Sequence, residues 1–226
     1  MAVEHSSEDP FANKAIAELF PTLVWVFDLA PADAEKANAA ILGWLDKVAS
    51  PRPAPTNDLS LQTDYDVHET PAFRPLRPML DRAVRDVFTF LRLSSDRYLV
   101  TGAWINVSAP GIRHHTHTHP NNYLSAVYYV ATPKGGDTIR FYDPRPQAHV
   151  LQPPQTQMSK LSASSITIDV KPGRLVLFHS WLQHSVDANA GEGERISVAI
   201  NLMFRQFGEQ LAKPMWQPKL KTRKRA

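Results

Sequence analysis

Arg195 to Arg205 reads RISVAINLMFR, and its alternation decides the fold. Ile196, Val198, Ile200, Leu202 and Phe204 fall on one parity, and Arg195, Ser197, Ala199, Asn201 and Met203 on the other. Successive side chains of an extended strand point to opposite faces, so this segment is a strand with one wholly apolar face. That face needs a hydrophobic layer to pack on. The opposite face, with its guanidinium, hydroxyl and amide, faces either water or a cavity. The number of neighbouring strands makes the cavity the better expectation.

Upstream lie strand-like segments at Tyr98–Val107, Leu124–Ala131, Asp137–Tyr142, Ile166–Val170 and Arg174–Phe178. Turn signals divide them: Ala109-Pro110-Gly111, Lys134-Gly135-Gly136, Lys171-Pro172-Gly173 and the glycines at 191 and 193. Many short strands with such breaks argue for a sandwich or barrel. The first third differs. Pro21–Asp28 (PTLVWVFD) reads as a strand, and Ala32–Ala49 as an amphipathic helix with Ala37, Ile41, Trp44, Leu45 and Val48 in one stripe. Ser50–Asp66 is a proline-rich loop, and Arg77–Leu93 a second helix with Leu80, Ala83, Val87 and Leu91 at helical spacing. The two helices are the expected cover for one sheet face. The class is therefore mainly β with flanking helices (α+β). The expected organisation is an N-terminal strand and helical layer over residues 1–95, a core over 96–206 and a basic tail over 207–226, forming one functional domain.

Of 226 residues, 43% are apolar, enough for a core without staples. Cysteine is absent, which excludes disulfides, zinc–thiolate sites and thiol nucleophiles. The start of the chain is polar and acidic, unlike a signal peptide, and no apolar run approaches membrane-spanning length. A soluble, cytoplasmic protein without membrane association is expected. The formal charge of +3 owes much to Lys219, Lys221, Arg223, Lys224 and Arg225. Such a tail reads as a solvated terminus, and no zinc finger or aromatic-studded basic patch points to a nucleic-acid partner. The helices offer a face for a homodimer.

The chemistry concentrates in histidine. Four of the nine histidines lie between 114 and 119, and His115, His117 and His119 alternate with threonines. Extended, that run turns three imidazoles to one side. Neutral imidazole ligates iron, zinc and copper. A further ligand must come from elsewhere, and His184, following a strand, is the best placed. His5, His68, His114 and His149 read as surface or core histidines.

The order of these features resembles the 2-oxoglutarate and iron(II)-dependent oxygenase superfamily, whose usual pattern is His-x-Asp/Glu, a distal His and then Arg-x-Ser. His184 is followed by Arg195-Ile196-Ser197 in that manner. More narrowly, the sequence is similar to a family of 2-oxoglutarate oxygenases from bacteria and phages. The similarity lies in Trp104–Val107 (WINV), His117–Asn121 (HTHPN), Ser125–Tyr129 (SAVYY), Asp143–Arg145 (DPR), Gly173–Val186 (GRLVLFHSWLQHSV) and Glu194–Asn201 (ERISVAIN), with Leu19–Thr22 (LFPT) as a matching opening.

The resemblance implies a jelly roll, or double-stranded β-helix, with iron(II) in its mouth and 2-oxoglutarate as cosubstrate. It implies His117, His119 and His184 as metal ligands. Arg195 would receive the far carboxylate of 2-oxoglutarate, Ser197 would add a donor, and Asn106 and Tyr128 (or Tyr129) would complete the cosubstrate site. Trp104 and Trp181 are candidate walls. With O2 the expected outcome is hydroxylation of a small-molecule or peptide substrate, with release of succinate and CO2. One departure is that His119 stands where the family pattern has a carboxylate. His115 with His117 is the alternative pair, and Asp137 and Asp143 are the alternative carboxylates. A cupin-like three-His dioxygenase that does not use 2-oxoglutarate, and a non-catalytic jelly-roll binding module, are the competing functions. Substrate contacts are expected from the loops at Ser50–Asp66 and Gln147–Ser165.

Overall fold

The computed structural model describes residues 13–50, 61–95, 97–151 and 153–206. The basic tail, residues 1–10 and most of the proline-rich loop lie outside the described residues. Ten strands and two helices follow in the order β1 (Val24–Asp28), α1 (Pro31–Val48), β2 (Leu61–Gln62), α2 (Arg77–Phe90), β3 (Tyr98–Ser108), β4 (His114–His117), β5 (Leu124–Ala131), β6 (Thr138–Tyr142), β7 (Ser165–Asp169), β8 (Arg174–His179), β9 (His184–Val186) and β10 (Arg195–Phe204). They form two antiparallel sheets, ordered β1-β8-β5-β10-β3-β2 and β4-β9-β6-β7. This is the jelly roll.

β10 sits inside the larger sheet, between β5 and β3. Its apolar face behaves as its alternation requires. Ile196, Val198, Ile200 and Leu202 are buried in one core with Ala37, Ile41 and Leu45 of α1 and Leu80, Val84 and Val87 of α2. Each fully buried aliphatic side chain contributes about 1.5–3 kcal/mol of transfer free energy, so this layer fixes the sheet and leaves its other face to the cavity. A second cluster, with Ile139, Phe141, Val176, Phe178 and Leu182, fills the space between the sheets.

Local chemistry sets the helix limits. Pro31 occupies the first turn of α1, where its missing N–H costs nothing and its fixed φ is helical. α2 is supported by Arg77–Asp81 and Arg82–Asp86 pairs one turn apart, both at 2.9 Å. It stops at Phe90, short of the expected Leu93, because Arg92 turns to φ 52° and the Arg92 and Leu93 amides fold back onto Thr89 and Phe88. Two short strands fall outside the expected set. β2 lies within the expected loop and exists through its pairing with β3 (Leu61 opposite Val107, Gln62 opposite Asn106). β9, three residues long, is held between β4 and β6. No helix among the described residues is long and apolar enough to cross a membrane.

Candidate functional site

β4 and β9 meet with His117 directly opposite His184, so one imidazole from each strand projects from the same rung of the smaller sheet. Their ring centroids lie 4.3 Å apart. His119 follows β4 in the loop, where its amide donates to the Ser180 carbonyl at 2.9 Å. That bond brings its ring to 5.0 Å from His117 and 5.2 Å from His184. One ligand nitrogen from each of the three lies within 4.8 Å of the others, a grouping one metal ion can bridge. His115 is exposed and outside the group. The run does not present 115, 117 and 119 together, because β4 ends at His117 and its pairing is irregular between His114 and His117.

The histidines open onto a cavity of about 330 Å³ between the sheets. The polar face of β10 lines it with Arg195, Ser197, Ala199 and Asn201, and β3 and β5 add Trp104, Asn106, Val127 and Tyr129. Arg195 is only 2% exposed. Its guanidinium donates to neutral oxygens, the Ser108 hydroxyl at 3.2 Å and the Asp187 carbonyl at 3.5 Å. The Asp187 carboxylate is engaged by Arg140 instead, at 2.5 Å.

Residues 102–201 match the family model described as "Putative 2OG-Fe(II) oxygenase". The matched segment, 100 of the chain's 226 residues, spans the segments that carry His117, His119, His184 and Arg195, and what it resembles is an oxygenase domain that uses iron(II) and 2-oxoglutarate. Solved structures share the fold at low identity. A non-heme alpha ketoglutarate dependent carbocyclase, SnoK, from nogalamycin biosynthesis aligns with a TM-score of 0.58 at 15% identity, covering 81% of this chain and 80% of that one. A Pseudomonas putida prolyl-4-hydroxylase aligns at 0.55 and 19%, covering 81% and 94%. HygX from Streptomyces hygroscopicus, with nickel and 2-oxoglutarate bound, aligns at 0.55 and 15%, covering 81% and 83%. No curated protein matches the sequence.

The donor set of this site suits a divalent ion. His184 Nδ1 lies 2.9 Å from the Leu182 carbonyl and His117 Nδ1 2.7 Å from the His115 carbonyl. A carbonyl only accepts, so both Nδ1 atoms carry a proton and Nε2 is the nitrogen each ring can offer to a metal. Burial holds His184 down to about pKa 3 and His119 to about 4, so both stay neutral and able to ligate well below neutral pH. Arg195 is likewise shifted down by burial.

The cavity-facing side of the larger sheet suits a carboxylate. The Tyr129 hydroxyl is buried and has no hydrogen-bond partner, although Tyr129 lines the cavity. An orphaned buried hydroxyl is costly unless a ligand satisfies it. Tyr129 stands opposite Ser197 on β10, and Ser197 stands opposite Asn106 on β3, so the three form one row across adjacent strands.

The structure corrects the expectation for Tyr128. It points to the helical layer, is fully buried in the main core, and donates its hydroxyl to Asn38 Oδ1 at 2.7 Å. Adjacent residues of a strand take opposite faces, and Tyr129 is the one in the cavity. Trp181 is not a wall; it is 52% exposed and stacks on His179. Trp104 does line the cavity, 5.9 Å from His119. The alternative carboxylates lie elsewhere: Asp143 pairs with Arg145 at 2.8 Å and Asp137 accepts from the Gly135 amide. Gln62 and Tyr65 line the cavity from the 50–66 segment expected to supply substrate contacts. Gln62 comes from the short β2, and Tyr65 packs edge-on against Trp104 at 4.9 Å.

Proposed function

We propose that the chain hydroxylates a small-molecule or peptide substrate at a C–H bond, converting O2 and 2-oxoglutarate to the new hydroxyl, succinate and CO2. His117, His119 and His184 hold the iron(II). Arg195 receives the far carboxylate of 2-oxoglutarate through charge-assisted hydrogen bonds, with Tyr129, Ser197 and Asn106 as neighbouring donors. The metal and its cosubstrate, when bound, supply the activation of dioxygen. The protein's own part is positional: it keeps the His119 and His184 imidazoles unprotonated, orients His117 and His184 through backbone carbonyls, and offers a buried cation to a dianion.

The observation that carries this assignment is Arg195 together with Tyr129. A cation 2% exposed, bonded to neutral oxygens, faces the same cavity as a hydroxyl without a partner. The Asp187 carboxylate acts on this cation only through space, and burial of a charge without a bonded counter-ion is relieved by an entering carboxylate. The three-histidine set belongs to the same logic. Neutral ligands would leave the ion's charge unmet until the anionic cosubstrate enters. The neighbours' names span both substrate sizes, a carbocyclase of nogalamycin biosynthesis and a prolyl-4-hydroxylase. The reaction needs a compartment supplying iron(II), for which the cytoplasm is suited.

The test is anaerobic binding of iron(II) and 2-oxoglutarate, then a metabolite and peptide screen for oxygen-dependent succinate. Succinate that rises with a substrate and vanishes in His184→Ala supports the assignment. Oxygen consumption without succinate points to a three-His dioxygenase of another kind.

A further inference from the structure

Beyond the groups assigned above, a relay of polar side chains beside the cavity runs from Arg195 to a histidine that the sequence had placed among bystanders. Arg195 Nη2 donates to Ser108 Oγ at 3.2 Å, and Ser108 Oγ lies 3.0 Å from His114 Nε2. Ser108 is 1% exposed, and His114 lines the cavity. Two sheets converge here: Ser108 of β3 stands opposite Arg195 of β10, and His114 of β4 stands opposite Val186 of β9.

The direction of the bond to Arg195 follows from its donor. A guanidinium has no lone pair and only donates, so the serine oxygen accepts from Arg195. The serine hydroxyl keeps its proton and a second lone pair, so it can pair with His114 Nε2 in either tautomer of a neutral ring. Burial, and then the nearby Arg195 charge, favour the neutral ring, holding it down to about pKa 4. A carboxylate in the same place would neutralise Arg195 and compete with an incoming anion. A neutral imidazole acting through a serine fixes the guanidinium and leaves its charge unspent.

We propose that His114 is a positioning residue for the cosubstrate, holding Arg195 through Ser108 in the orientation that receives the distal carboxylate. This rests on the assignment of Arg195 made above. Binding to a guanidinium already locked in place avoids the ordering cost of a long flexible side chain.

The experiment is calorimetric titration of 2-oxoglutarate into the Mn(II)-loaded protein without oxygen, for wild type, His114→Phe, His114→Gln, Ser108→Ala and the Ser108→Ala/His114→Phe double variant. Manganese affinity is measured alongside. His114→Phe keeps the ring and removes the hydrogen-bonding nitrogen; loss of one such hydrogen bond is expected to weaken 2-oxoglutarate about five- to tenfold, with manganese affinity within about twofold. Gln restores a neutral hydrogen-bonding group and is expected to recover most of the loss. The double variant should be no weaker than the worse single one, since both break the same relay. The proposal is overturned if His114→Phe binds 2-oxoglutarate like wild type, if it loses manganese and 2-oxoglutarate together, or if the two losses add. Should His114→Phe not fold, Ser108→Ala and His114→Gln decide: the first must weaken binding and the second must not. A wild-type protein that takes manganese but not 2-oxoglutarate would instead refute the Arg195 assignment, a separate outcome.

Discussion

Replacing Arg195 by Met separates a binding role from a structural one. The side chain is 2% exposed and bonds only to a hydroxyl and a carbonyl, at 3.2 and 3.5 Å. A structural ion pair would lose stability when broken. Here the guanidinium is desolvated without a bonded carboxylate, so removing it relieves an unfavourable burial while orphaning one serine and one carbonyl. The two effects oppose, and the melting temperature of the ligand-free variant should stay close to wild type or rise. Binding should respond very differently. Truncating one partner of a buried, hydrogen-bonded charge pair costs about 2–5 kcal/mol, or roughly 30- to 5000-fold in affinity for 2-oxoglutarate. Arg195→Lys keeps the charge but not the planar fork, and should fall between. Thermal unfolding and anaerobic 2-oxoglutarate titration on the same preparations provide the assay. A variant that binds 2-oxoglutarate within twofold of wild type refutes the reasoning. So does one that unfolds far earlier while binding normally.

The remaining predictions are these. His184→Ala removes a ligand from the buried strand pair and should abolish stoichiometric iron(II) binding by equilibrium dialysis, whereas Asp143→Asn should leave it unchanged. Tyr129→Phe should raise the KM for 2-oxoglutarate about fivefold, the worth of one hydrogen bond, while Tyr128→Phe should leave that KM alone and cost about 1 kcal/mol in urea unfolding through its lost bond to Asn38. The metal-free protein should lose stability as pH falls. His184 and His119 titrate at about 3 and 4 when folded and near 6.5 when unfolded, so the unfolded chain binds more protons between those values. Their contribution is complete above pH 6.5 and shrinks as pH drops toward 4. A melting temperature independent of pH over that window, or no flattening in His184→Phe, contradicts the assigned burial.

How far the sequence reaches can be seen residue by residue. β10 was legible because one face meets a hydrophobic layer and the other a polar cavity, so its alternation is clean. β5 was legible as a strand but not in its facing, because both of its faces are buried: one against the helices, the other against the second cluster. Period-two hydrophobicity then carries no sign and cannot choose between Tyr128 and Tyr129. Ser125, which shares the parity of Tyr129, was the available clue; it bonds Asn201, a cavity residue. β9 is three residues long, below what periodicity resolves, and it is formed by the strands beside it. His114 was indistinguishable from His115 in a histidine-rich run. Which of the two turns inward depends on the irregular pairing of β4, a tertiary matter.

The central claim is that three imidazoles and one guanidinium serve a single metal–cosubstrate unit. It is tested most directly by an anaerobic crystal structure with Mn(II) and 2-oxoglutarate. The expected density shows the ion about 2.1 Å from Nε2 of His117 and of His184 and from a ring nitrogen of His119, with the distal carboxylate on Arg195 and Tyr129. An ion bound without His184, or a 2-oxoglutarate whose distal carboxylate lies away from Arg195, contradicts the account.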